Sequence, residues 1–201
     1  MKNILIVGEP GRGKSHMAKT ILKKFAKDKE GERINCIFDI NGEYKEFKNE
    51  LNKHFKGGVG INQFLDFVTA KDEQTGKTKV VHANILFEEA TFFFSNSGNM
   101  NLRTIDLMCR TFHTKNLNIF NFHLLRKVPA DVYGFADFTF IFRTKDRLND
   151  IEDRFDDYPE VIEAWKDVMK KTDNTFMDRA TKKYKDERSK QFYHYHKCIA
   201  K

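Results

Sequence analysis

An α/β fold with a mainly parallel sheet flanked by helices is predicted by three features of these 201 residues. Apolar, strand-like runs alternate with stretches of helical periodicity. A Gly-rich turn, GEPGRGKS at residues 8–15, joins the first such run to the first helix. Farther along, an apolar run ends in two adjacent carboxylates, Glu88 and Glu89.

The elements follow in order. Lys2–Val7 holds Ile4-Leu5-Ile6-Val7, a buried strand. After Ser15, the residues Met17, Ala18, Ile21, Leu22 and Phe25 recur at helical spacing. A second strand is predicted at Arg33–Ile40. A helix follows over Glu43–Phe55, with Tyr44, Phe47, Leu51 and Phe55 on one stripe. Gly57-Gly58-Val59-Gly60 breaks the chain, Gln63–Ala70 reads as a short helix, and Lys71–Lys79 reads as a polar loop. The third strand is Val80–Phe87. The next helix, Leu102–His113, is expected to turn Leu102, Ile105, Cys109 and Phe112 inward. Strands at Leu117–Leu124 and Phe138–Phe142 and helices at Asp146–Asp157 and Pro159–Lys171 complete the pattern. A strand inserted between the Gly-rich loop and the acidic pair is compatible with a spatial order of 5-1-4-3-2. Residues 1–160 are expected to form the core, and 161–201 a basic helical or irregular extension.

The octapeptide fits G-x-x-x-x-G-K-[ST], the phosphate-binding P-loop. Gly8, Gly11 and Gly13 allow a backbone that aims successive N–H groups at phosphate oxygens. Lys14 brings a cation to the β- and γ-phosphates, and Ser15 offers a hydroxyl to Mg²⁺. The helix adds the positive end of its dipole. The expected nucleotide-binding set is Gly8, Glu9, Pro10, Gly11, Arg12, Gly13, Lys14, Ser15 and His16. At the acidic pair, Glu88 is assigned to the metal and Glu89 to polarising the attacking water. Read alone, such a pair is also an exposed closure of a strand; the P-loop upstream favours the catalytic reading.

Composition narrows the class. Hydrophobic residues make up 40% and charged residues 32%, as in a globular chain, and 20 Phe are expected to carry much of the core. No apolar run approaches a membrane span, and the N-terminus lacks a signal-peptide pattern. Cys36, Cys109 and Cys198 are odd in number and lack metal-ligand spacing, which points to a reducing cytosol. The net charge of +7 is uneven. Residues 166–201 carry 11 Lys/Arg against 5 Asp/Glu, whereas 144–160 carry 3 against 7. A basic tail with Tyr184, Phe192, Tyr193 and Tyr195 interleaved suits nucleic acid, or equally a solvated helix face.

GEPGRGKS at 8–15, FDINGEY at 38–44 and ILFEEA at 85–90 together resemble the FtsK/HerA superfamily of P-loop motors. The stretch over residues 113–145 has the matching cadence. The resemblance implies ATP and Mg²⁺ as cofactors, a homo-oligomeric ring of six subunits, and DNA as substrate. Many members carry Gln as a sensor at the end of the fourth strand. Here the polar residues are Asn121, His123 and Arg126, and the role is assigned to His123 or Arg126. A ring member often supplies an arginine to its neighbour's γ-phosphate; Arg103, Arg110, Arg143 and Arg147 are the candidates. A nearly bare motor domain of this size is similar to genome-packaging ATPases of membrane-containing DNA viruses. It is also similar to phage-assembly ATPases of the zonula occludens toxin type, which normally continue into a membrane segment.

Three functions are therefore open. The first is an ATP-driven DNA translocase packaging a viral genome, in the host cytoplasm or on the virion, with a partner at a capsid vertex or in a membrane. The loops at 57–60, 71–79 and 95–101 are its expected pore elements. The second is an assembly or secretion ATPase acting on a protein or filament. The third, a small-molecule kinase, is disfavoured by the acidic pair and by an acidic 146–157 segment where a phosphate-closing lid would be basic.

Overall fold

The computed structural model describes residues 2–55, 60–94, 102–172 and 195–201. Strand β1 (Lys2–Val7) leads through the Gly-rich loop into α1 (Lys14–Lys24). A short hairpin of β2 (Lys27–Asp28) and β3 (Gly31–Glu32) precedes β4 (Ile34–Phe38). Helices α2 (Leu51–His54) and α3 (Ile61–Thr69) lead to β5 (Ala83–Phe87). Then come α4 (Ala90–Phe94), α5 (Leu102–Cys109), α6 (Thr111–Thr114) and β6 (Leu117–Phe122). Helix α7 (Ala130–Phe135), β7 (Phe138–Phe142), α8 (Leu148–Glu152), α9 (Pro159–Lys171) and β8 (His196–Ala200) follow.

The sheet order is β4-β5-β6-β1-β7-β8. The first five strands are parallel, and β8 runs antiparallel along β7. The parallel strands keep the predicted mainly parallel architecture. The full order departs from the five-strand expectation through β8, which adds an edge strand where the sequence pattern assigns none. Both faces of the sheet are covered, as parallel sheets require. Successive β1 residues feed opposite cores: Leu5 and Val7 join Phe38, Phe87, Phe120 and Trp165 on one side. Ile4 and Ile6 join Ala18, Ile21, Leu22 and Tyr44 on the other. Phe rings bind the larger core together: Phe87 stacks on Phe120 at 4.7 Å and meets Phe64 edge-on at 4.9 Å. Val161, Ala164, Trp165 and Val168 of α9 belong to this same cluster.

Two helix expectations are corrected. Residues 43–50 do not form a helix; α2 begins only at Leu51. The reason lies at the sheet edge. The Asn49 side chain accepts from Ile37 N–H at 3.1 Å and donates to Ile37 C=O at 2.8 Å, supplying β4 with the partner its open edge lacks. The expected inward stripe on α5 is also displaced. Leu102 and Phe112 are 80% and 82% exposed, and Cys109 is exposed, while Thr104, Leu107, Met108 and Thr111 are buried. Polar residues decide this. Thr111 Oγ1 donates to Asn3 Oδ1 and accepts from Asn118 Nδ2, both at 3.0 Å, so Thr111 must face the sheet. The Gly57–Val59 turn, the 95–101 loop, and Tyr184, Phe192 and Tyr193 lie outside the described residues.

Candidate active site

The P-loop sits where the C-terminal ends of the parallel strands converge, the usual place for a ligand in such sheets. Gly8 N–H donates to Phe122 C=O at 2.9 Å and Glu9 N–H to Arg143 C=O at 2.8 Å, which ties the loop to β6 and to the end of β7. A Cβ on Gly8 would lie 2.6 Å from Phe142 Cβ, so the loop can approach β7 only as glycine. Gly11 and Gly13 have φ of +78° and +96°, the left-handed region that glycine enters without strain.

Three charged groups, Lys14, Glu88 and Glu89, gather behind this loop together with the imidazole of His123. Lys14 is 6% exposed and donates to Glu9 C=O and to His123 Nδ1, both at 3.3 Å. The Nε2 of His123 lies 2.5 Å from Glu89 Oε2. With Lys14 donating to Nδ1, Nε2 carries the imidazole proton and donates it to Glu89. Asn41 Nδ2 donates to the other oxygen of Glu89 at 3.4 Å. His123 is itself fixed by its backbone N–H, which donates to Thr91 Oγ1 at 2.8 Å.

Glu88 accepts from three donors. Ser15 Oγ reaches Oε1 at 2.9 Å; Asn121 Nδ2 reaches Oε2 at 2.6 Å, and the Tyr44 hydroxyl donates to the same oxygen. Tyr44 is placed by Asp39, whose carboxylate accepts the N–H groups of Glu43 and Tyr44 at 2.9 Å each. Burial pushes the Tyr44 hydroxyl well above its ordinary value, with the Glu88 charge beside it adding to the shift, so it remains a donor. Burial also lowers Lys14, against the raising effect of Glu88 and Glu89.

Burial raises the Glu88 carboxyl above its ordinary value, against the hydrogen bonds from Tyr44, Ser15 and Asn121. A raised value means that the folded chain holds this proton more tightly than the unfolded one. Its contribution to stability is therefore complete below the unfolded value and is lost as pH rises through the folded value. Glu88→Gln is accordingly expected to melt higher than the wild type at neutral pH, by roughly 2–4 °C per kcal/mol in a chain of this size. The difference should close as the pH falls below the ordinary carboxylate range. Melting curves from about pH 4 to pH 8 check this; a less stable variant at neutral pH contradicts it.

The predicted residues are placed unequally. Gly8 to Ser15, Glu88, Glu89 and His123 come together. Glu9 turns its carboxylate to Arg12, whose Nε lies at 2.7 Å, and to Arg143, whose Nε lies at 3.7 Å; two guanidinium groups thus neutralise an acid inside a phosphate loop. Arg126 pairs instead with Asp150 at 2.7 Å and Asp146 at 3.7 Å, next to α8. Arg143 also donates to Thr172 C=O at 2.6 Å, bridging the loop to the end of α9. Arg103 pairs with Asp66, Arg110 pairs with Asp106 at 2.5 Å, and Arg147 is exposed just before α8. Asn121 and Tyr44 are contributors to which the sequence reading gives no role. Asn121 is visible there only as one of three polar residues near a strand end. Tyr44 lies in the FDINGEY segment but reads as part of a core stripe.

The hydroxyl of Ser15 and the carboxylate of Glu88 form an all-oxygen pair of the kind Mg²⁺ uses when phosphates and water complete its shell. Among the described residues no group of three or more His, Cys, Asp or Glu is gathered that could hold a metal by itself.

The sequence model of the family described as "Helicase HerA, central domain" matches residues 1–195. The chain belongs to the HerA central-domain family. No curated protein matches this HerA-type chain. Its fold is similar to that of the genome packaging NTPase B204 from Sulfolobus turreted icosahedral virus 2. In complex with AMPPCP that protein aligns at a TM-score of 0.60 and 19% identity, over 82% of this chain and 86% of B204. In complex with AMP the values are 0.56 and 18%, over 92% and 96%. The N-terminal domain of zonular occludens toxin from Neisseria meningitidis aligns at 0.51 and 14% identity, over 72% of this chain and 78% of that one. At such identities the likeness concerns the fold. The HerA-type chain is thus an NTPase domain of the FtsK/HerA kind, with the P-loop architecture expected for it. Among the described residues no helix is long and apolar enough to cross a membrane.

Proposed function

We propose that this chain hydrolyses ATP as a subunit of a DNA-translocating ring that packages a viral genome. The observation carrying the hydrolytic part is the division of labour behind one phosphate loop: Glu88 is held by Ser15, while Glu89 is held with His123 and Lys14. The loop N–H groups and Lys14 bind the β- and γ-phosphates. Ser15 and, through water, Glu88 would hold Mg²⁺, which when bound neutralises charge on the phosphates. Glu89 orients a water for in-line attack on the γ-phosphorus and takes its proton as the bond to the bridging oxygen breaks, leaving ADP and phosphate. His123 touches both Lys14 and Glu89, so it is placed to sense the γ-phosphate between them. Family membership and the packaging function named for B204 support the DNA reading.

In the ring, a neighbour's arginine completes charge neutralisation. Arg103, Arg110, Arg143 and Arg147 are the candidates; Arg103 would have to leave Asp66, Arg110 Asp106, and Arg143 Glu9 and Thr172, whereas Arg147 is exposed just before α8. Arg126 would serve as a sensor only by leaving Asp146 and Asp150. A capsid-vertex or membrane-protein partner and a place in the host cytoplasm or on the virion belong to the same proposal. Sedimentation at low salt with a non-hydrolysable ATP analogue and DNA tests assembly. A six-subunit, DNA-bound species is expected, and a monomer that binds no DNA in any nucleotide state overturns the proposal. The likeness to the zonular occludens toxin domain favours a second reading, an assembly ATPase answering to a protein partner.

A further inference from the structure

The two carboxylate oxygens of Glu88 are not equivalent. Oε1 has one partner, Ser15 Oγ at 2.9 Å, from the first turn of α1. Oε2 has two, Asn121 Nδ2 at 2.6 Å and the Tyr44 hydroxyl. Each carboxylate oxygen has about two lone-pair sites, so these two donors fill Oε2 and leave Oε1 with room for another contact. Glu88, Tyr44 and Asn121 are all buried, so the protein and not the solvent sets this asymmetry. Tyr44 is firmly aimed. Its N–H donates to Asp39 Oδ2 at 2.9 Å, its ring lies 6.2 Å from that of Phe47, and the Lys19 ammonium sits over it at 5.5 Å. The remaining polar atom of Asn121, Oδ1, is buried and has no partner among the described residues. An acceptor left open in this way suits a hydrated cation, whose waters donate.

We propose that Tyr44 and Asn121 make this site selective for Mg²⁺ over Ca²⁺, by holding Oε2 so that Glu88 presents a single oxygen to the cation. The proposal rests on the loop being a site for a nucleotide with a divalent cation. Mg²⁺ keeps several of its waters and uses few carboxylate oxygens, whereas Ca²⁺ gathers about six to eight oxygens and readily takes both from one carboxylate. One available oxygen beside an open amide acceptor fits the smaller, hydrated ion. For Ca²⁺ to gain the second oxygen, it would have to displace the Tyr44 hydroxyl and the Asn121 amide, leaving buried donors unpaired. Both are therefore positioning residues that act on the cation through Glu88.

Calorimetric titration of the full chain with a non-hydrolysable ATP analogue, once with Mg²⁺ and once with Ca²⁺, reads the selectivity without turnover. The wild type is expected to bind the analogue more tightly with Mg²⁺. Tyr44→Phe keeps the ring and removes only the donor. It should cut the ratio of the two affinities by about tenfold, the order of one hydrogen bond to a charged group, chiefly through tighter binding with Ca²⁺. Asn121→Leu, which removes the other donor, should narrow the ratio in the same direction. An unchanged ratio in both variants overturns the proposal. So does an equal loss with both cations, since a merely structural role weakens the site for either ion alike. A wild type that binds the analogue equally well with the two cations overturns the selectivity while the phosphate site stands. A wild type that binds it with neither removes the phosphate reading and this proposal with it.

Discussion

Glu89→Gln is expected to cut ATP turnover by about 10²–10⁴, the usual worth of a positioned general base, while nucleotide affinity stays within about threefold. Glutamine preserves the shape of the side chain and can still meet His123 and Asn41, which touch Glu89 at 2.5 and 3.4 Å. What it cannot do is take a proton from water. The loss should therefore fall on the chemical step, and single-turnover phosphate release against equilibrium nucleotide binding separates the two. A variant that hydrolyses at the wild-type rate would place the base elsewhere, and Glu88, the neighbouring acid already occupied by Ser15, would be the next residue to test.

Lys14→Ala should differ from Glu89→Gln in kind, because it removes both binding and transition-state charge. The ammonium lies 6% exposed, within reach of His123 and the Glu9 carbonyl, and both Glu88 and Glu89 act on it electrostatically. Removing one preorganised donor from such a site costs about 10²–10³ in turnover. Loss of the phosphate contact should also weaken ATP binding measurably. The substitution leaves two neighbouring carboxylates without their cation, and the stability of the empty protein should change with it. Titrating ATP into the variant and following phosphate release measures both effects. Retained affinity together with retained turnover would contradict the assignment of the loop.

The parts of this molecule that were legible from sequence are those where geometry admits few residues. Gly11 and Gly13 stand at positive φ, and the run from Ile4 to Val7 is a strand buried on both faces. Elements that depend on partners far away in sequence were not legible. The β8 strand alternates poorly because it sits half-exposed on an edge, and its pattern makes sense only beside β7. The turn at 43–50 reads as a helix until Asn49 is seen to satisfy the open edge of β4. At the site, β6 is buried along its whole length, so the pattern around its end did not say which of Asn121, His123 and Arg126 meets the acidic pair. Their partners differ: Asn121 goes to Glu88, His123 to Glu89, and Arg126 to Asp150 on α8. Tyr44 was visible as a buried aromatic but not as a donor, since its partner arrives from the end of β5.

Phosphate release from ATP with Mg²⁺, measured without DNA and then with double- or single-stranded DNA, tests the central claim most directly. The account predicts turnover that DNA stimulates and that Glu89→Gln abolishes, with the preferred strand form marking the genome handled. Turnover indifferent to both DNA forms would contradict the translocase reading and favour an ATPase driven by a protein partner.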